Sequence, residues 1–300
     1  MQLQPQKIAV FGSVFPDRSA EGERRFCDVC AVISQYRAQI YLAEAFFDSL
    51  SRSSKDMLRP MAILFDVLPP VDMAFSIGGD GTFLRTAAVI GSSNIPVLGV
   101  NTGRLGFLAD VPYKGMEETL GEILRGDYRT ESRTLLETVT EESSTPFGYE
   151  IRALNEVAIL KQETASMLSI HASINGEYLT TYQADGLIVA TPTGSTAYAL
   201  SIGGPILMPT SSSIILAAIA PHSLTSRPLV VDDNSRISLK VESRSRNFLV
   251  SMDGESQIFS ERSAIEIRKA DYSIQVVKRI GTTFFDTLRD KLMWGADLRS

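Results

Sequence analysis

Val71-Asp72-Met73-Ala74-Phe75-Ser76-Ile77-Gly78-Gly79-Asp80-Gly81-Thr82 carries an apolar run into two glycines, an acid, a third glycine and a threonine. Residues 71–77 read as a buried strand and 83–90 follow a helical pattern, so the stretch is a strand–turn–helix unit. Glycines at such a turn let backbone N–H groups face an anion and remove the side chains that would keep phosphate away. An acid beside phosphate is a liability unless it takes a proton from an attacking hydroxyl or holds a metal. The ordinary reading of an Asp-Gly pair, a turn with Asp80 as helix N-cap, stays open at this point.

Outward from this unit, strand and helix patterns alternate through the first part of the chain: 7–12, 20–35, 38–42, 73–77, 83–90, 95–100 and 114–124. Alternation of that kind predicts a parallel sheet covered by helices, a Rossmann-like α/β domain over 1–127. Beyond 127 the helices vanish and short strand-like runs follow closely, at 134–140, 149–160, 168–174, 179–183 and 187–189. Others come at 237–241, 248–252, 264–269 and 272–279. The Asn175-Gly176 pair between two of these runs is a hairpin signal. Residues 128–280 are therefore expected to form an all-β, sandwich-like domain. Within the tail, 281–300, residues 283–294 return to helical spacing with Phe284, Leu288 and Leu292.

Two further runs share the character of the first. Ala190-Thr191-Pro192-Thr193-Gly194-Ser195-Thr196-Ala197-Tyr198, leading to Ser201-Ile202-Gly203-Gly204-Pro205, follows a strand pattern at 186–189. Its hydroxyls and glycine offer donors, acceptors and open backbone, and apolar neighbours on both sides argue for burial. Asn101-Thr102-Gly103-Arg104-Leu105-Gly106-Phe107-Leu108 follows the strand 95–100. All three runs lie after apolar strands, where open α/β sheets place their ligands. Asn155-Glu156 interrupts an otherwise apolar strand, and burying an amide beside a carboxylate is costly unless a ligand satisfies them.

Composition sets bounds. A chain of 300 residues allows one large or two ordinary domains, and 44% hydrophobic with 21% charged residues describes a globular protein. A net charge of −6 argues against a nucleic-acid partner. The longest apolar run, 214–220, is far short of the about 20 residues that span a bilayer, and no signal peptide is visible, so a cytoplasmic protein without a membrane partner is expected. Cys27 and Cys30 form a Cys-x-x-Cys on a predicted helix, without a second ligand pair or a thioredoxin-like setting. They read as packed helix thiols, and no metal-ligating set is seen.

Taken together, the three glycine-rich runs resemble those of NAD kinases, which phosphorylate the 2′-hydroxyl of the adenosine ribose of NAD to give NADP. The resemblance extends in order through Asn155-Glu156, Asp185-Gly186, Pro221-His222, Arg227-Pro228-Leu229 and Asp253-Gly254. It closes on Phe284-Phe285-Asp286, Leu288-Arg289 and Lys291-Leu292, so it spans nearly the whole chain. The resemblance implies that the C-terminal helix packs back on the first domain. It implies Asp80 as the base for the ribose hydroxyl, with Gly79, Gly81 and Thr82 holding phosphate. Asp80, Gly81 and Arg85 would also touch NAD, and Phe107 would wall the adenine. Asn155 and Glu156 would recognise ribose and neighbouring hydroxyls, and Asp185 the nicotinamide side or its ribose. Thr196, Ala197, Tyr198 and Ser201 match the family's NAD-binding loop. NAD is then expected between the domains, with ATP or inorganic polyphosphate as donor, Mg²⁺ or another divalent cation as cofactor, and a homodimer or homotetramer as the assembly.

The chain departs from the common pattern at Ser166 and at Gln183-Ala184, where many relatives carry a basic residue, and at Ile202 and Glu255. These changes bear on how tightly NADP or NADPH is held and on whether NADH is accepted. A lipid or sphingoid-base kinase shares the 78–82 turn and the α/β-then-β order but usually lacks the 101–108 run. A non-catalytic NADP sensor would not need Asp80.

Overall fold

The computed structural model describes residues 6–13, 20–103, 106–140, 147, 151–163 and 167–293. The chain divides into two compact units, Met1–Ser132 with Ile274–Ser300, and Arg133–Ser273.

The first unit opens with β1 (Lys7–Gly12), α1 (Ala20–Gln35), β2 (Gln39–Ala43), α2 (Glu44–Ser49), α3 (Arg52–Leu58) and β3 (Ala62–Phe65). It continues with β4 (Met73–Gly78), α4 (Asp80–Ile90), β5 (Val97–Asn101), the two-residue β6 (Val111–Pro112) and α5 (Met116–Leu124). Strands β3, β2, β1, β4 and β5 lie side by side in that order, all parallel. Every residue of β4 and β5 is buried, which is why both read as continuous apolar runs rather than alternating ones. From β1 the chain winds outward to β3 and then returns to β4 on the other side. The order therefore reverses between β1 and β4, the switch point at which open α/β sheets bind ligands at the strands' carboxyl ends. Helix α1 packs Phe26, Val29, Cys30 and Ile33 into this core. Cys27 and Cys30 are both buried free thiols, and burial pushes both upward from the usual thiol range. Helices α2 and α3 and strand β3 are absent from the sequence reading, because they are short and their exposed apolar residues, such as Ile63 and Leu64, break any clean period.

In the second unit come β7 (Tyr128–Thr140, begun in the first), β8 (Glu156–Leu160), β9 (Leu168–Ile174), β10 (Glu177–Ala184) and β11 (Gly186–Ala190). They are followed by a single helical turn, α6 (Tyr198–Ser201), then β12 (Ser213–Ile219), β13 (Leu229–Asp232), β14 (Ile237–Glu242), β15 (Asn247–Met252) and β16 (Glu255–Ser260). The long β17 (Ile265–Arg279) begins here and ends in the first unit. Antiparallel β10-β9-β14-β17 form one layer and antiparallel β13-β12-β11-β8-β15-β16 the other. Ile170 and Leu239 of one layer share a core with Ile159, Val189 and Val250 of the other, so the unit is a β-sandwich. Asn175 and Gly176 both have positive φ (53° and 85°), the two-residue turn that their sequence predicts. The apolar run 214–220 is largely strand β12, which lies between β13 and β11. One expectation needs correction: helix does not vanish beyond 127. A 3-10 turn at Thr193–Thr196 and α6 follow β11, because Ser195, Thr196 and Ser201 hydroxyls bond local carbonyls and curl the chain.

After β17 the chain ends in α7 (Phe284–Leu292), which belongs to the first unit. Thr283 caps it through a reciprocal box with Asp286. Trp294, included in the expected helix, lies outside the described residues.

Candidate active site

In the first unit the strand–turn–helix places Gly79 as N-cap of α4 and Asp80 as its first residue, so Asp80 is not the cap. Its carboxylate leaves the helix end and accepts three consecutive backbone N–H groups. Oδ2 takes Phe107 at 2.9 Å, and Oδ1 takes Leu108 at 3.1 Å and Ala109 at 3.0 Å. The turn 78–82 and the run 101–108 are thus one structure, joined also by Thr102 N–H to the Gly78 carbonyl at 3.3 Å. Gly106 is the close-approach glycine of this contact, since a Cβ there would sit 1.9 Å from Asp80 Oδ1. A carboxylate offers about four acceptor sites. Among the described residues three are taken, and one on Oδ2 is left.

Gly79 faces open space, with nothing within 4 Å of where a Cβ would stand, and Gly81 meets only Arg85 Nη1 at 4.0 Å. The start of α4 is therefore accessible to an anion. Thr82 is buried, its backbone N–H bonds the Gly79 carbonyl, and its hydroxyl accepts a long 3.4 Å contact from Arg85. The Phe107 ring lies 6.4 Å from that of Phe284 on α7, with Lys291 Nζ 5.5 Å above it. Arg104 and Leu105 lie outside the described residues.

In the second unit β8 begins at Glu156, later than the strand expected over 149–160, of which 149 and 150 lie outside the described residues. The reason is the Asp253 carboxylate. It accepts the N–H groups of Leu154 (2.6 Å), Asn155 (2.9 Å) and Glu156 (3.1 Å), which would otherwise serve a ladder. The carbonyls of the first two go to the loop after β11: Thr191 Oγ1 donates to Leu154, and Thr191 N–H to Asn155. Gly194 presses against Asn155 so closely that a Cβ would be 2.1 Å from its carbonyl oxygen. The Tyr198 backbone N–H reaches the Glu156 carboxylate, while the Tyr198 side chain is exposed. Asn155, Glu156 and the segment Thr196, Ala197, Tyr198 and Ser201 therefore form one neighbourhood. Two of its buried polar atoms, Glu156 Oε2 and Thr193 Oγ1, have no hydrogen-bond partner among the described residues. A buried oxygen without a partner is costly unless a ligand or a water supplies the donor.

Desolvation first, then the Asp253 charge, pushes Glu156 up to about 7, against the Tyr198 N–H that lowers it. Desolvation also pushes Asp253 up to about 6, in spite of its three N–H partners. For Glu156 the folded-state value lies above the unfolded one, near 4.3. Its contribution to stability is whole below that value and is lost as pH rises through about 7. Glu156→Gln should therefore gain on the parent protein between pH 4 and 7, by on the order of 3 kcal/mol, and hold that gain above. Chemical denaturation across this range checks it, and a pH-independent difference would mean that Glu156 is solvated.

Asp185 is not brought to this neighbourhood. It precedes β11 at the end where Gly186 pairs with Leu160, whereas Glu156 pairs with Ala190 at the other end, roughly 13 Å along the strand. It pairs with Lys161 at 2.7 Å and lines a cavity of about 1040 Å³ with Gln183, His222 and Arg244. Ser166 lies outside the described residues. Asp253 has no role in the sequence reading, because Asp-Gly at a hairpin tip has the look of a solvated turn.

Residues 154–279 match the ATP-NAD kinase C-terminal domain and residues 65–128 the ATP-NAD kinase N-terminal domain. The NAD kinase of Bacteroides fragilis is 47% identical over 98% of this chain and 99% of its own. The chain belongs to the NAD kinase family. The NAD kinase of Porphyromonas gingivalis is 44% identical over 98% of this chain and all of its own. Among solved structures, an NAD kinase from Archaeoglobus fulgidus in complex with ATP matches with a TM-score of 0.74 and 25% identity, covering 96% of this chain and 98% of that one. A yeast NADH kinase complexed with NADH shares the fold, with a TM-score of 0.84 at 24% identity over 99% of this chain and 90% of that one.

Proposed function

We propose that this chain is an NAD kinase in activity as in family, moving a terminal phosphoryl group from ATP or polyphosphate to the 2′-hydroxyl of the adenosine ribose of NAD. The observation that carries this reading is the Asp80 carboxylate, fixed by three N–H groups beside the open glycine start of α4 with one acceptor site to spare. In this reading that site takes the proton of the attacking hydroxyl. The backbone of Gly79 and Gly81 and the Thr82 hydroxyl hold donor phosphate, and Arg85 offsets its charge. Asn155 and the unpartnered Glu156 oxygen take ribose hydroxyls. Thr196, Ala197, Tyr198 and Ser201 frame the dinucleotide, and Phe107 backs the adenine.

No group of three or more His, Cys, Asp or Glu among the described residues is placed to hold a metal. A Mg²⁺ carried by phosphates needs only one or two protein ligands, and in this reading it enters with the donor's phosphates, as part of that substrate. No described helix is long and apolar enough to cross a membrane. A cytoplasmic enzyme working as a homo-oligomer completes the proposal, the two buried free thiols suiting a reducing compartment.

NADP formation from NAD with ATP and Mg²⁺, beside polyphosphate and a diacylglycerol control, tests the reading and identifies the donor. Lipid phosphorylation without NADP would move the chain to the lipid-kinase branch, and NADP binding without either turnover would make it a sensor. Within an active enzyme, Asn155→Ala and Glu156→Ala should each raise the Michaelis constant for NAD at least tenfold, as expected for lost hydrogen bonds to a bound ligand. Unchanged constants would place the nucleotide elsewhere.

A further inference from the structure

Asp253 and Gly254 form the two-residue tip of the β15–β16 hairpin, with φ of 51° and 95°, the double positive φ of a type I′ turn. Such a tip ordinarily points into solvent. Here it is turned against the start of β8, where the Asp253 N–H donates to the Glu156 carbonyl at 3.2 Å and Met252 pairs with Val157. The carboxylate then gathers the N–H groups of three successive residues, Leu154, Asn155 and Glu156, at 2.6–3.1 Å. Three successive N–H groups converging on one acceptor form a nest, which fixes the backbone direction of each residue that contributes to it. The two residues proposed to take ribose hydroxyls are two of those three.

We infer that Asp253 is a positioning residue for the reaction: it holds the Leu154–Glu156 backbone so that the Asn155 amide and the Glu156 carboxyl face the nucleotide. The inference rests on the nucleotide-binding reading of Asn155 and Glu156. The Asp253 carboxylate is turned to backbone, its two oxygens accepting from Leu154, Asn155 and Glu156. A second consequence is electrostatic. Its charge adds to burial in holding the neighbouring Glu156 carboxyl partly protonated near neutrality, where a protonated acid is a donor and an ionised one an acceptor only. The groups that bear on Glu156 are Asp253 from the hairpin and the backbone N–H of Tyr198 from α6.

Steady-state kinetics of the full chain between pH 6 and 9, with Asp253→Ala, Asp253→Asn, Asn155→Ala and Glu156→Gln, test the inference. Asp253→Ala should raise the NAD Michaelis constant about tenfold or more, with turnover at saturating NAD changed far less. Asp253→Asn should recover part of that loss, because its amide oxygen still accepts from Asn155 and Glu156 while its NH₂ confronts the Leu154 N–H. The pH step in the Michaelis constant that Glu156→Gln abolishes should move to lower pH in Asp253→Asn, a shift that a merely structural residue would not cause. Weakened NAD binding in Asn155→Ala and Glu156→Gln, with both Asp253 variants behaving as the parent, overturns this inference alone. No effect in Asn155→Ala and Glu156→Gln overturns the nucleotide site beneath it. Should both Asp253 variants fail to fold, carboxyl carbon-13 titration of the parent protein decides: coupled steps for Glu156 and Asp253 support the arrangement, and independent single steps overturn it.

Discussion

Asp80→Asn should lower turnover by about 10²–10⁴-fold, the range ascribed to a positioned general base, while NAD binds nearly as tightly as to the parent protein. The substitution is close to isosteric, but Asp80 also clamps the run that follows β5. An asparagine oxygen can still accept from Leu108 and Ala109, whereas its NH₂ would face the Phe107 N–H, at present a 2.9 Å donor to Oδ2. One donor set against another costs about 1–3 kcal/mol, so the variant should fold with a modest loss of stability. Gly106→Ala would disturb both roles, because its methyl group would stand 1.9 Å from Asp80 Oδ1 and 2.6 Å from its Cγ, so the carboxylate must shift or the run must lift. Thermal melting of Asp80→Asn separates them instead. A large loss of turnover in a protein that melts and binds NAD nearly as the parent does supports proton transfer. A loss of turnover that only follows the loss of folded protein would make Asp80 a clamp and no more, and unchanged turnover would remove it from the mechanism.

Gly194→Ala should lower the melting temperature by roughly 5–10 °C and abolish measurable NAD binding at millimolar ligand. The added Cβ would lie 2.1 Å from the Asn155 carbonyl oxygen, 2.5 Å from its carbonyl carbon and 2.8 Å from its Cα. All three are backbone atoms, so no rotamer change relieves the contact. The backbone beneath is held on both sides, by Asp253 on the N–H groups of 154–156 and by Thr191 on the carbonyls of 154 and 155. The loop from Pro192 to Tyr198 must lift away from Thr191 instead, giving up the Gly194 N–H bond to Thr191 Oγ1 and the Tyr198 N–H to Glu156. Overpacking of a buried site costs about 1–3 kcal/mol, and each kcal/mol shifts the midpoint of a domain this size by roughly 2–4 °C. Gly103→Ala, where nothing lies within 4 Å of the new methyl, is the matched control and should change neither quantity. A Gly194→Ala protein that melts and binds like its parent would show that the loop does not rest on Asn155.

Much of this was legible in the chain itself. Helix α1 spans Ala20–Gln35 as its apolar spacing predicts, and β4 gives way to α4 where the glycines begin, because local periodicity and turn chemistry act within a few residues. The two architectures and the chemical character of the three glycine-rich runs are local properties of the same kind. Partnerships between distant segments are not. Nothing near Asp80 announces that its oxygens serve Phe107, Leu108 and Ala109, and nothing near Asp253 announces Leu154, Asn155 and Glu156, residues about a hundred positions away. Nor does anything near Asp185 announce that the register of β11 against β8 sets it at the opposite end of the strand from Glu156, paired with Lys161. Sequence by itself determined the two architectures and the longer elements, since side-chain type and spacing encode both. Tertiary structure alone decided which carboxylates are spent on backbone and which oxygen is left without a partner, because hydrogen-bond satisfaction depends on what folding brings within about 3 Å.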